Sequence, residues 1–240
     1  MEKKTSQEIR SKVTKEGYME ISIIETPIPK PQENEVLVRM EAAPINPSDL
    51  GKLLSHAADL SDIETSGDRQ NTKTKIKLRT KLIGPLQPRL NQLIPLGNEG
   101  SGVIVDAGSE AKGMIGKTVG LAGGGMYSQY RCMQANNCLL MDEQTTPEEA
   151  ASSFVNPMTA LYFIETMKLE GHKALIHTAA SSNLGQMLIK ICKADAIPLI
   201  NIVRDSSQIK SLKNIGADFV CSTSEASFDD DLTVCIEETG

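Results

Sequence analysis

ALIHTAASSNLGQMLIKICK, residues 174–193, decides the fold. Lys173–His177 is a short apolar run of the kind buried in a sheet, and Gly185–Ala194 is a helical segment. Between them lie only small residues. Such a strand-to-helix turn aims backbone N–H groups and the positive end of the helix dipole at one point, where a pyrophosphate is favoured. Ala179, Ala180, Ser181, Ser182 and Gly185 are small enough to let phosphates approach the backbone, and Asn183 and Leu184 complete the turn. The pattern G-x-G-x-x-G is absent, and an ordinary tight turn would use the same residues, so the motif alone leaves both readings open.

Working outward, Pro198–Val203 is a second strand, a helix ends near Gly216, and Asp218–Cys221 and Leu232–Ile236 read as two further strands. Strand–helix–strand alternation at this spacing predicts a parallel sheet with helices packed on it. A doubly wound nucleotide domain has about six strands. Only half of one fits between Lys173 and Gly240, which predicts a chain cut short at its C-terminus. The second strand ends at Arg204-Asp205-Ser206. An acid there would bind the ribose 2′-hydroxyl of NAD, and an arginine would pair with the 2′-phosphate of NADP. Such a charge-assisted bond contributes about 1.5–3 kcal/mol, a preference of roughly ten- to a hundredfold. Arg204 comes first, which favours NADPH.

The first half has a different grammar. Ile21–Ile24 and Glu35–Met40 are short apolar or alternating runs around a proline-bearing turn, and glycines crowd Gly97–Gly125. That spacing suits a β-barrel with tight corners. The segment PEEAASSFVNPMTALYFIETM then turns helical. The expected division is 1–155 for the strand-rich part and 156–240 for the sheet-and-helix part.

Composition excludes several classes of function. The net charge of −6, three per cent aromatics and no tryptophan argue against a nucleic-acid partner. No apolar run approaches the roughly 18–20 residues of a membrane span, and MEKKTSQEIR lacks the apolar core of a secretory signal. The expectation is a soluble, cytoplasmic protein. Five cysteines without a C-x-x-C pair suit a reducing compartment and read as small buried apolar side chains.

Seven motifs occur in order: EAAPINPSDL (41–50), PLGNEGSGVIVDAGSE (95–110), GKTVG (116–120), GMYSQY (125–130), NPMTA (156–160), AASSNLGQ (179–186) and INIVRD (200–205). Together they resemble the zinc-independent quinone oxidoreductase and 2-enoyl thioester reductase branch of the medium-chain dehydrogenases/reductases. The resemblance covers nearly the whole chain apart from Ser55–Asn91. It implies a chaperonin-10-like catalytic domain with a β-barrel, followed by a partial Rossmann domain: an α/β protein with a β-barrel part. It also implies NADPH as cofactor and hydride transfer to an activated double bond of a quinone, enone or enoyl thioester. By the same resemblance Asn46, Ser48 and Asp49 lie near the nicotinamide, and Asn156 and Thr159 help position the cofactor. Relatives commonly dimerise through the edges of their Rossmann sheets, so a longer form of the chain is expected to be a homodimer. A protein that binds NADPH on this scaffold without turnover is the alternative.

Zinc-dependent relatives place a cysteine where Asn46 stands, a histidine where Asn98 stands and a third ligand near Asn156. Amides are poor zinc ligands beside thiolate and imidazole, so no metal is expected. Ser48 and Asp49 would equally serve as caps of a helix.

Two features depart from the family pattern. Enoyl thioester reductases of this type usually carry a proton-donating tyrosine just beyond NPSD. Here GKLLSHAADLSD contains none, and His56 is either a substitute donor or a solvated loop residue. This weakens the thioester assignment more than the quinone one, since quinone-type acceptors can take their proton from solvent. In the insertion Ser55–Asn91, Lys73, Lys75, Lys77, Arg79 and Lys81 alternate with Thr74, Ile76, Leu78, Thr80 and Leu82. That is strand periodicity with the bases on one face. It reads either as a lysine-guarded edge strand or hairpin, or as a basic lip attracting an anionic small-molecule substrate.

Overall fold

The computed structural model describes residues 5–79, 81 and 84–240. Thr80 and Leu82 of the alternating stretch, and the first four residues of MEKKTSQEIR, lie outside them. The chain divides between Phe154 and Val155 into two compact units.

In the first unit β1 (Thr5–Val13), β2 (Tyr18–Pro27), β4 (Ala58–Ser66), β5 (Lys73–Leu78) and β6 (Ile94–Pro95) form one sheet, in the order β4-β5-β2-β1-β6. A second sheet has the order β10-β8-β7-β3-β9, from β3 (Glu35–Ala42), β7 (Glu99–Ala107), β8 (Thr118–Ala122), β9 (Tyr130–Gln134) and β10 (Leu139–Leu140). The strand-rich part is therefore two five-stranded sheets and not the closed barrel that the glycine spacing suggested. Hydrogen bonds from Ile9 N to Tyr127 O and from Gln129 N to Gln7 O stitch the two sheets together along β1.

Period-two burial makes each core. Val36 and Val38 on β3 meet Ile104, Val119, Leu121 and Met126. Val13 and Met19 meet Ala57, Ala58, Ile76 and Leu78. Each such side chain contributes about 1.5–3 kcal/mol when fully buried. Ile76 and Leu78 come from the insertion, so its lysines alternate because the residues between them are core. The strand is not an edge: β5 lies between β4 and β2, as the inner arm of a hairpin. Its charges are matched locally. Lys73 reaches Glu20 at 3.6 Å, Lys77 reaches Asp62 at 3.6 Å, and Lys75 Nζ sits 4.0 Å from the centre of the Tyr18 ring.

The first unit also carries the short helices α1 (Pro47–Leu53) and α2 (Pro147–Ala150); in the second, α3 (Val155–Leu169) leads to a parallel sheet, β11 (Leu175–His177), β12 (Leu199–Val203) and β13 (Phe219–Ser222), in sequence order. The helices are α4 (Asn183–Ala194), α5 (Ile209–Asn214) and α6 (Phe228–Thr239). Leu188, Ile189 and Cys192 of α4 pack with Leu199, Val203 and Leu212. The sheet-and-helix part is thus a partial Rossmann-type layer.

One expected strand is a helix. Leu232–Ile236 lies inside α6, although LTVCI alternates like a strand. What the alternation hid is the spacing Phe228, Leu232, Cys235, Thr239, the residues of α6 that are shielded from solvent, which repeats at helical period. Asp229, Asp230 and Asp231 in its first turn complement the helix dipole. Burial raises the Cys132, Cys138 and Cys192 thiols to about 11 and the Cys221 thiol to about 12. Among the described residues no helix is long and apolar enough to cross a membrane.

Gly102, opposite Met40 in the β3–β7 pair, has no room for a side chain: a Cβ there would lie 2.0 Å from Arg39 O. Gly102→Ala is expected to cost about 1–3 kcal/mol by overpacking. Gly113→Ala, where nothing lies within 4 Å of the added carbon, should be close to neutral. Equal shifts of the two midpoints in thermal unfolding would contradict this packing.

Candidate functional site

The NPSD segment opens a short helix, α1 (Pro47–Leu53). Asn46 is its extended N-cap, Pro47 sits in the first turn with φ already suited to it, and Asp49 stands at the third position. The Asp49 carboxylate accepts from Asn46 N at 2.9 Å through one oxygen and from Asn98 N at 2.9 Å through the other. At 1% exposure it is sealed in, with both oxygens committed to backbone donors. It therefore ties the helix start to the loop before β7, where Asn98 O in turn accepts from Gly123 N at 3.1 Å and Gly124 N at 3.4 Å.

Above this tie lies a row of polar side chains. Asn98 Nδ2 donates to Ser48 Oγ at 2.9 Å, and Lys52 Nζ donates to Asn98 Oδ1 at 2.9 Å. Asn46 Nδ2 donates to Glu99 Oε1 at 2.8 Å, while Glu99 Oε2 accepts from Phe154 N at 2.9 Å. Glu99 is wholly buried, so these donors offset its desolvation. Tyr127 O–H donates to Pro44 O at 2.9 Å. Burial, then the nearby Asp49 charge, hold its phenol well above the usual tyrosine range, so it stays neutral. The far end of α1 is held from the insertion: Arg89 Nη1 donates to Gly51 O at 3.4 Å and Nη2 to Lys52 O at 3.2 Å. Ser11 Oγ donates to the same Lys52 carbonyl at 2.9 Å.

Beside Ile45 opens a groove of about 480 Å³, whose walls include Ile9, Ile23, Met40, Leu53 and Met126. Tyr127 and Glu41 supply part of its polar rim. Its lining suits an apolar molecule. His56 is exposed in a turn.

In the second unit the turn after β11 enters α4 through Ser182, whose Oγ accepts from Gly185 N at 3.1 Å. Gly185 is required by closeness: a Cβ would lie 2.3 Å from Ala180 O. Ala180 is fully buried beneath it. Ser182 and Asn183 are exposed, and Ser181 and Leu184 are half-buried. At the end of β12, Arg204 is exposed and forms no ion pair with any described residue. Asp205 instead turns back, its Oδ1 accepting from Ser207 N at 2.8 Å, and this backbone bond lowers its pKa. Thr159 Oγ1 donates to Val155 O at 2.6 Å within α3, and Asn156 lies half-buried in the same first turn.

Sequence reasoning passed over Lys52, Arg89, Glu99 and Tyr127. Glu99 carried a signal, a lone acid amid the glycines of GNEGSG. Tyr127 stood within a quoted motif. Lys52 and Arg89 carried none, because their partners are 46 and 37 residues away.

Residues 32–143 match the model of the alcohol dehydrogenase GroES-like domain. The mitochondrial enoyl-[acyl-carrier-protein] reductase of Caenorhabditis elegans is 28% identical over 204 residues, covering 82% of this chain and 51% of that protein. Its Xenopus tropicalis counterpart is 30% identical over 204 residues, covering 80% and 49%. The chain thus spans about half the length of the curated relatives it matches. The crystal structure of an Escherichia coli quinone oxidoreductase complexed with NADPH superposes with a TM-score of 0.66 at 21% identity, covering 98% of this chain and 63% of that one. That last likeness is one of fold.

Asp49→Asn leaves one of two buried backbone donors facing an amide N–H, and should cost about 1.5–3 kcal/mol in denaturant unfolding. A loss below 0.5 kcal/mol, within the usual range of surface substitutions, would contradict the double tie. His177, half-buried at the end of β11 with its ring 6.3 Å from that of Phe163, has its pKa lowered by burial. The unfolded chain then binds the extra proton first. Stability is full above about pH 6.5 and falls as pH drops from there toward the folded-state pKa. His177→Gln should flatten that part of the stability–pH curve; an unchanged slope would contradict it.

Proposed function

We propose that this chain, which belongs to the quinone oxidoreductase and enoyl reductase branch of the medium-chain dehydrogenase/reductase family, is part of an NADPH-dependent, zinc-free reductase of activated double bonds. The observation that carries the cofactor assignment is the pairing at the end of β12. Arg204 is free to meet a 2′-phosphate, while Asp205 is already committed to Ser207 N. Ser181 and Asn183 at the start of α4 take the pyrophosphate through their backbone N–H groups, and Ser182, whose own N–H donates to Ala179 O, lies between them. Gly185 and Ala180 set the closeness of that turn, Leu184 packs beneath it, and Asn156 and Thr159 help position the cofactor. Bound there, NADPH supplies the hydride.

The first unit supplies the acceptor end. The groove beside Ile45 takes the apolar body of the acceptor, and by the family resemblance Asn46 and Ser48, one and three residues further along the chain, lie near the nicotinamide. As hydride arrives, negative charge grows on the acceptor oxygen, and a fixed hydroxyl donor lowers the barrier. Asp49 acts as a positioning residue, because both its oxygens are occupied. The amides of Asn46, Asn98 and Asn156 are poor zinc ligands beside thiolate and imidazole, which supports chemistry without zinc. His56 is exposed in its turn, and the Tyr127 O–H is already given to Pro44 O. These observations favour quinone- or enone-type acceptors, which can draw their proton from water, over enoyl thioesters.

Fluorescence titration of the full chain should show NADPH binding tighter than NADH in matched salt. Arg204→Ala should weaken NADPH by roughly ten- to a hundredfold and leave NADH unchanged. Equal loss for both cofactors would remove the 2′-phosphate role. NADPH binding without oxidation by any quinone or enone would favour the reading of a scaffold without turnover.

A further inference from the structure

We propose that Lys52 is a positioning residue which, through Asn98, fixes Ser48 as the hydrogen-bond donor to the acceptor oxygen. The acceptor half of this inference rests on the reductase reading above. The donor order itself rests on the side chains alone.

The argument turns on which way the Asn98 amide faces. Its two ends are nearly the same size, so only hydrogen bonding distinguishes them. The backbone of Asn98 is pinned on both sides, by Asp49 Oδ1 on the nitrogen and by Gly123 N on the oxygen. The side chain therefore starts from a fixed point and chooses between two orientations. Lys52 removes the choice. An ammonium has three donors and no acceptor, so only Oδ1 can face it, across a charge-assisted bond of 2.9 Å. Nδ2 must then face Ser48, and an amide NH2 cannot accept. Ser48 Oγ is left to accept at 2.9 Å, and its own proton is turned away from Asn98 toward whatever oxygen binds beside it.

With the amide reversed, Ser48 would spend its proton on Asn98 Oδ1 and present only lone pairs to an incoming oxyanion. The same two side chains would then repel the charge they are meant to stabilise. Lys52 is well placed to prevent this. It lies four residues after Ser48 on α1, hence on the same face of the helix. Its own carbonyl is anchored by Ser11 Oγ and Arg89 Nη2, so the root of the long side chain is held.

The test compares wild type, Lys52→Met, Lys52→Arg, Ser48→Ala and the Lys52→Met/Ser48→Ala double variant in steady-state NADPH oxidation with a soluble quinone. Lys52→Met should lower kcat roughly five- to tenfold, the worth of one neutral hydrogen bond, without changing the NADPH dissociation constant. Lys52→Arg, also a pure donor, should restore most of kcat. In the Ser48→Ala background Lys52→Met should have no further effect, because there is no hydroxyl left to orient. An equal drop in that background would overturn the proposal. The Asn98 side-chain amide signal in a nitrogen-15 correlation spectrum gives a second reading that needs no turnover. It should shift in Lys52→Met and stay in place in Lys52→Arg. A signal unmoved by Lys52→Met would refute the donor order, whereas a wild type that oxidises no NADPH but shows the expected shift would refute only the reductase reading.

Discussion

A single sealed carboxylate organises the first unit. Asp49 gives one oxygen to the start of α1 and the other to the backbone of Asn98, two segments 49 residues apart in sequence. Neither backbone donor would otherwise be satisfied without water, and the acid itself would be costly to bury without both. The interaction therefore enforces a common geometry on the helix and the loop. From it follow the approach of Asn46 to Glu99, of Ser48 to Asn98, and of Lys52 to the far side of the same amide. The seven-residue helix is too short to hold its shape unaided, and its shape is supplied by what grips it at each end.

The fold was legible in the sequence where local pattern and global packing agree. The small-residue turn after Lys173–His177, the helix that follows and the strand ending at Val203 were readable because each signal is confined to a few neighbouring residues. Reading failed where two periodicities overlapped. In Leu232–Ile236 an alternating pentapeptide lies over a helical repeat that shows only when Phe228 and Thr239 are included. It was right only in part in β5, where lysine alternation suggested an edge strand or hairpin: the hairpin is there, and β5 is its inner arm and not an edge. The intervening Ile76 and Leu78 belong to a core, and β4 covers the side that was thought open.

The candidate site was legible as residue types and not as roles. NPSD marked the segment where the polar row begins, yet Asp49 in that motif proves to be a tie between backbones, and Ser48 takes its place in the row from Asn98 and Lys52. A hydrogen bond across 46 residues leaves no trace in local spacing. Arg204 and Asp205 show the opposite case. Their order suggested a preference, and the geometry adds a physical ground for proposing it, since Asp205 is already engaged by a neighbouring N–H.

Arg89 brings the long segment 55–91 into this arrangement. Its guanidinium closes the C-terminal carbonyls of α1 while Ile76 and Leu78 of the same segment fill the core beneath. What looks in the sequence like an ornament on a family scaffold is thus a splint for the helix that bears Ser48 and Lys52. Sequence drift in it cannot be silent at the site. Two proteins alike at every residue of NPSD, but unlike in this segment, would hold the motif with different stiffness. The segment is a place where selection could retune the candidate site without touching a single residue of NPSD.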